Sequence, residues 1–221
     1  SLLFLTEGMQ AKITLPAFFS DGMGLQQQSS VAIWGNSDKK KQKVTIKTSW
    51  NQKKCATITD ELGQWKVKVE TPVYGGPYSI EVSDGETVTI NDVLIGEVWL
   101  CSGQSNMEFM LKEASTARMD IPQSDNNNIR LLDMKARWRT NPVEWEESVL
   151  DSLNHLQYYK DSQWTVCTSA SAADFSAVAY YFGKMLQDSL HVPVGLICNA
   201  IGGSPTEAWV SRHALEFHLP I

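Results

Sequence analysis

The chain of 221 residues is long enough for one large domain or two smaller ones, and its 43% hydrophobic and 20% charged residues are those of an ordinary globular protein. A net charge of −6 speaks against a nucleic-acid partner. The densest basic run, Lys39-Lys40-Lys41 with Lys43, reads as a solvated turn beside a strand. No apolar run approaches the length of a membrane span.

The first eleven residues, apolar over Leu2 to Leu5, are consistent with the tail of a secretory signal, although they lack an initiator Met and a basic segment. Export to the periplasm or the medium is the expectation. Cys55, Cys101, Cys167 and Cys198 are widely spaced, with no zinc or disulfide-framework pattern. Cys101 and Cys198 end apolar strands, where cysteine serves as a small buried hydrophobe.

From about residue 12 to 92 the pattern is short and β-like. Val44/Ile46, Trp65/Val67/Val69, Ile80/Val82 and Val88/Ile90 alternate with polar neighbours, and Gly-, Asp- and Asn-containing turns separate them. This spacing predicts an antiparallel β-sandwich that carries no reactive group. From residue 93 the character changes. Residues 93–100 form a nearly continuous apolar run, as expected of a strand covered on both faces. Residues 128–133 and 192–198 are two further candidate strands.

Between those two strands, Phe175, Val178, Ala179, Phe182, Met185, Leu186 and Leu190 follow helical spacing and predict an amphipathic helix over 172–190. The order β–loop–β–α–β implies a mostly parallel sheet, so the fold class is α/β behind an antiparallel β-sandwich. The intervening polar stretch, 112–171, reads as surface chain with one or two short helices. Its Trp138, Trp145 and Trp164 either fill a loop-rich core, the commoner fate of tryptophan, or line a sugar-binding groove.

Ser105 stands where the first apolar strand breaks, through Gly103, into a helix start. Ser105-Asn-Met-Glu108 has the spacing of a capping box, which is a structural reading. The other reading is a nucleophile held at the end of a parallel strand, beside backbone N–H groups able to receive an oxyanion. A second glycine turn, Gly202-Gly203, follows the last strand, and Ser204, Pro205 and Glu207 have the spacing of a capped helix start behind it. Such a turn is either an ordinary β–α connection or an anion site.

Together, Gly103-Gln-Ser-Asn-Met107 and the preceding Gly96-Glu-Val-Trp-Leu-Cys-Ser102 resemble the first motif block of the SGNH hydrolases, and more narrowly the sialate O-acetylesterase family of carbohydrate esterases. The likeness extends over Leu15–Met23, Gly75-Gly-Pro-Tyr78, Trp164-Thr-Val-Cys167, Asp174–Val178 and Gly202–Trp209. It implies a β-sandwich (12–92) followed by the N-terminal part of an SGNH α/β domain (93–221). It also implies Ser105 as the acetyl-accepting nucleophile, with its own N–H and that of Gly202 or Gly203 as oxyanion donors, Gly203 being preferred because it adjoins the helix start. Gln104 and Asn106 would shape the turn and meet substrate, an acetylated carbohydrate. No metal or organic cofactor is implied.

The resemblance also implies a general base in an Asp-x-x-His motif and an asparagine oxyanion donor, both after the Gly-Gly block, and neither is found. Asp188-x-x-His191 has the spacing but sits at the wrong end of the predicted helix, and His155, His213 and His218 have no acid at suggestive spacing. The expectation is therefore an esterase fragment without its base, whose short sheet would self-associate through an exposed edge. The alternatives are a non-catalytic carbohydrate-binding module and an inert fragment. Which acetylated sugar is bound is not legible from one sequence.

Overall fold

The computed structural model describes residues 13–138, 145–155 and 157–218. Among the described residues ten strands run in chain order: β1 (Gly24–Gln26), β2 (Ser30–Asn36), β3 (Lys43–Thr48), β4 (Lys54–Ile58), β5 (Gln64–Glu70), β6 (Gly75–Ser83), β7 (Thr87–Gly103), β8 (Asn126–Asp133), β9 (Thr165–Cys167) and β10 (Val194–Ala200). The alternating residues predicted to face a core do so. Val44, Ile46, Trp65, Val69, Ile80, Val82 and Ile90 are buried. Strands β2 and β5 pair antiparallel as a two-stranded sheet, and their Ile33, Trp65 and Val69 share one apolar core with the inward residues of β3, β6 and β7.

The larger sheet has the order β4-β3-β6-β7-β10-β8-β9, with β1 also beside β7. Strand β7, seventeen residues long, runs without interruption through the change of character at residue 93. Its first half pairs antiparallel with β6, and residues 97–103 pair parallel with β10. Gly96 marks the exchange of partners, because a Cβ there would overlap the carbonyl of Pro193, the residue before β10. The expected parallel strands are therefore present as β7, β10 and β8, with β10 in the middle. The edge strand β9 is antiparallel, and its three residues are too few to announce themselves by periodicity.

Six helices, several of one turn only, complete the described elements: α1 (Ser105–Glu108), α2 (Ala117–Asp120), α3 (Glu147–Asn154), α4 (Ser169–Ala173), α5 (Ala177–Leu190) and α6 (Arg212–His218). The helix predicted over 172–190 is divided. Asp174 to Ser176 form a break, and the Ser176 hydroxyl accepts the Ala179 N–H at 3.2 Å to cap α5. The face of α5 against the sheet carries one bulky side chain, Tyr180, and otherwise small residues. Ala177, Ala179, Tyr180 and Gly183 are buried, whereas Val178, Phe182, Met185 and Leu190 are exposed. The cause is close approach: a Cβ at Gly183 would lie 2.5 Å from a Leu196 methyl.

One residue of the bulky stripe of α5, Phe182, meets β7. Trp99 and Phe182 stack edge to face at 5.0 Å, both part-exposed, and Leu100, on the opposite face of the strand, is 63% exposed. Among the described residues, β7 has β10 on one side from Glu97 to Gly103 and no strand on the other. Of the three tryptophans in the middle stretch, Trp164 is buried and donates its indole N–H to the Phe18 carbonyl at 2.9 Å, so it packs in the core. Trp138 and Trp145 are half-buried. No helix among the described residues is long and apolar enough to cross a membrane.

Candidate active site at the ends of the parallel strands

Strands β7 and β10 end level with each other, Gly103 opposite Ala200, and Ile201 N–H donates to the Gly103 carbonyl at 3.0 Å. The chains that leave the two strands therefore stay side by side. This is the crevice outside the carboxyl ends of parallel strands, where open α/β sheets bind ligands. Ser105 and the Gly202-Gly203 turn, ninety-odd residues apart in sequence, meet there. A Cβ built on Gly202 would lie 3.4 Å from Ser105 Oγ.

The capping box predicted for Ser105 does not form. The N-cap position is Gln104, with no side-chain cap, and Ser105 is already the first helical residue. Its hydroxyl is exposed and makes no hydrogen bond to another described residue. A first-turn position leaves the Ser105 N–H without a partner inside the helix. Glu108, assigned by spacing to the box, instead accepts the Gly202 N–H on Oε2 at 2.8 Å. Only the folded chain brings that partner within reach.

Gln104 reaches over the second turn and donates from Nε2 to the Ser204 carbonyl. Asn106 is exposed on α1. Gly203 is exposed, with a φ of +80°, in the left-handed region that favours glycine. The capped helix predicted at Ser204 is also absent. Ser204 is buried, its hydroxyl donating to the Ile201 carbonyl at 2.8 Å and accepting the Trp209 indole N–H at 2.9 Å. In place of that helix the chain forms a 3-10 turn, Thr206–Trp209, with Pro205 at its N-cap. A single such turn does not supply the dipole of a helix terminus, so any anion here is met by individual N–H groups.

Asp188-x-x-His191 lies far from this crevice. Asp188 pairs with Lys184 one turn back, and His191 ends α5 in the left-handed conformation, its N–H bonded to the Gln187 carbonyl at 2.9 Å. It precedes β10, so the seven residues of that strand, about 20 Å, separate it from the rim that carries Ser105. His155 is exposed on the far end of α3, with Nδ1 against Asp151. His213 lies in α6.

A cleft of about 140 Å³ opens next to the two turns, and Glu108 and Gly202 form its wall towards Ser105. Asp133, Lys135, Lys160 and Asp174 line the rest, while Ser105 itself stands outside it. Burial pushes the Asp133 carboxyl above the usual aspartate range, against a smaller opposing pull from Lys135 at 3.3 Å. Asp133 and Glu108 are the residues that sequence reasoning did not assign to the site. The available signal for Asp133 was an acid at the C-terminal end of a predicted parallel strand. Beneath the cleft, Cys198 lies opposite both Cys101 and Asp133 in the sheet. Among the described residues no cluster of His, Cys, Asp and Glu is arranged to hold a metal.

The chain spans about two fifths of the length of the curated relatives it matches. It is 29% identical over 215 residues to the human sialate O-acetylesterase, covering 90% of this chain and 39% of that protein. The rat sialate O-acetylesterase is likewise 29% identical over 216 residues, covering 90% and 38%. The crystal structure of a carbohydrate acetylesterase from Xanthomonas citri superposes with a TM-score of 0.77 at 30% identity, covering 94% of this chain and 44% of that one. The family model for carbohydrate esterases, sialic acid-specific acetylesterases, matches residues 95–218, more than half of the chain and all of the crevice between β7 and β10. The chain belongs to that family of carbohydrate esterases.

Proposed function

We propose that this chain carries the nucleophile and part of the oxyanion hole of a secreted or periplasmic carbohydrate O-acetylesterase of the SGNH type. The observation that carries the reading is the unbonded Ser105 hydroxyl beside the Gly202-Gly203 turn. In this reading residues 12–92 are a β-sandwich scaffold and residues 93–221 hold the reacting groups. Ser105 Oγ attacks the acetyl carbonyl carbon, the C–O bond to the sugar breaks, and the sugar oxygen leaves as a hydroxyl with the proton delivered by a base. Water then hydrolyses the acetyl-serine to acetate and restores the hydroxyl. Backbone N–H groups of Ser105 and of the glycine turn receive the tetrahedral oxyanion.

The base is not supplied by His191, which stands at the other end of the sheet. Because no Asp-x-x-His motif is found after the Gly-Gly turn in this sequence, the reading expects slow turnover by these residues alone, since loss of one triad member leaves only a residual rate. An acetyl-serine that forms without an efficient base also persists. Incubation with an aryl acetate and added imidazole, followed by peptide mass spectrometry, is expected to find acetyl on Ser105 and none in Ser105→Ala at the same turn. Equal labelling of both proteins would overturn the reading. Fast Ser105-dependent turnover without imidazole would place a base within these residues.

A second reading, glycan binding without catalysis, is favoured by a broad groove of about 730 Å³ on the β-rich part of the chain. Trp34, 42% exposed, lies there with Asn36, Asp60, Gln64 and Lys66. An exposed indole among polar side chains suits a sugar face. Saturable sugar binding that survives Ser105→Ala and is lost in Trp34→Ala would support this reading. Equal binding by both variants would count against it.

A further inference from the structure

We propose that Glu108 is a positioning residue that withdraws the Gly202 N–H from catalysis and presents the Gly203 N–H to the oxyanion. This rests on the esterase reading and decides between the two glycines. The Gly202 N–H is held by Glu108 Oε2 at 2.8 Å, in a part-buried contact across 94 residues of sequence. A bond of this kind, to a carboxylate, is roughly twice as strong as one between neutral partners. A Cβ on Gly202 would stand 2.5 Å from the Glu108 oxygen and 3.4 Å from Ser105 Oγ, so carboxylate and nucleophile flank the same glycine.

The turn is held from its other end as well. Gln104 Nε2 donates to the carbonyl of Ser204, the residue after Gly203. Gly203 therefore sits between two clamps, one on the N–H before it and one on the carbonyl after it. Its φ of +80° is reached without strain only by glycine, and its own N–H makes no hydrogen bond to a described residue. Both clamping side chains come from the turn that bears Ser105. Gln104 precedes the nucleophile, and Glu108 follows it by one helical turn on the same face. The nucleophile turn thus sets the donor turn, and a shift in one is carried to the other.

Glutamine at 108 keeps an acceptor oxygen for Gly202, and alanine does not. In wild-type protein the Gly202 amide is expected to be protected from hydrogen exchange while the Gly203 amide exchanges freely. Glu108→Ala should speed Gly202 exchange, and Glu108→Gln should retain most of the protection. Acetylation of Ser105 by an aryl acetate with imidazole is expected to fall about tenfold to a hundredfold in Glu108→Ala, the loss that follows misplacement by about an ångström. Glu108→Gln should restore it to within a few-fold. Unchanged Gly202 exchange in Glu108→Ala would overturn the clamp. Wild-type acetylation rates in Glu108→Ala would overturn its effect on the oxyanion donor. Absence of acetyl from Ser105 in the wild-type protein would defeat the esterase reading and this oxyanion role together. The exchange comparison tells that failure from a failure of the clamp.

Discussion

The Arg130 guanidinium grips the Asp92 carboxylate with both terminal nitrogens, Nη1 to Oδ2 at 2.5 Å and Nη2 to Oδ1 at 3.0 Å. Arg130 comes from β8 in the parallel part of the sheet. Asp92 lies on β7 where the β-rich and α/β parts join, and the Gly22 and Asn127 carbonyls accept the guanidinium's other N–H groups at 3.2 Å. The pair is asymmetric: the Arg130 side chain is 5% exposed and that of Asp92 47%. Removing the acid strands a buried cation, whereas removing the cation leaves a carboxylate that water still reaches. Asp92→Asn is therefore expected to cost about 2–3 kcal/mol, below the 3–5 kcal/mol of a fully buried pair. Arg130→Met should cost less than Asp92→Asn. Urea unfolding of both variants checks the order, and the reverse order would contradict the account.

Residues that act through neighbours in sequence were legible, and residues that act through neighbours in space were not. The apolar run of β7, the strands β8 and β10 and the Ser105 turn could be read because a buried parallel strand and a glycine break leave local patterns. The buried face of α5 could not. Gly183, which meets Leu196, adds nothing to an apolar count, and the fully buried Tyr180 lay outside the apolar series, while Val178, Phe182 and Met185 face outward. Ser105 and Glu108 showed a real capping-box spacing, but Gly202 competes for the glutamate, and nothing local announces that competition. Arg130 in a strand likewise gave no sign that its partner lay 38 residues earlier.

The four cysteines should differ sharply in reactivity. Burial pushes the Cys167 and Cys198 thiols up to about 12, and raises Cys101 as well. Cys55, on β4, is half-exposed, and all four are free. Because the thiolate is the reactive form, native protein treated with iodoacetamide near neutral pH is expected to label at Cys55 and resist at the other three. Unfolding in urea should make all four label. Rapid native labelling of Cys198 would mean that the sheet beneath the cleft opens readily.

Asp133 gives a pH dependence of definite sign. Its carboxyl is raised by burial, so the folded state binds this proton more tightly than the unfolded chain does. The stability it lends is complete below the unfolded-state value and is lost as pH rises through the higher folded value. Asp133→Asn removes the cost of holding a charge there. The variant is expected to melt higher than wild type at neutral pH, and the difference should shrink towards zero as pH falls below the normal aspartate range. Melting curves across that range decide the point, and a gap that widens on acidification would contradict the assignment.

The side of β7 that no described strand covers predicts association. Leu100 is 63% exposed, Met185 70% and Val178 49%, and Trp99 and Phe182, stacked on each other, are part-exposed as well. The neighbouring stretch of β7 has β10 on one side only among the described residues, so unpaired strand groups and an apolar stripe lie together. Strand edges of this kind recruit another strand unless a charge or a proline guards them. Residues 98–103, Val-Trp-Leu-Cys-Ser-Gly, include neither. Purified chain is therefore expected to associate with rising concentration in sedimentation or light scattering. Leu100→Lys places a charge on the edge, and Met185→Glu places one on the stripe without touching β7. If the edge directs pairing, Leu100→Lys should suppress association more strongly than Met185→Glu. If a general apolar contact drives it, the two should act alike. A wild-type chain that stays monodisperse at every concentration would rule out both.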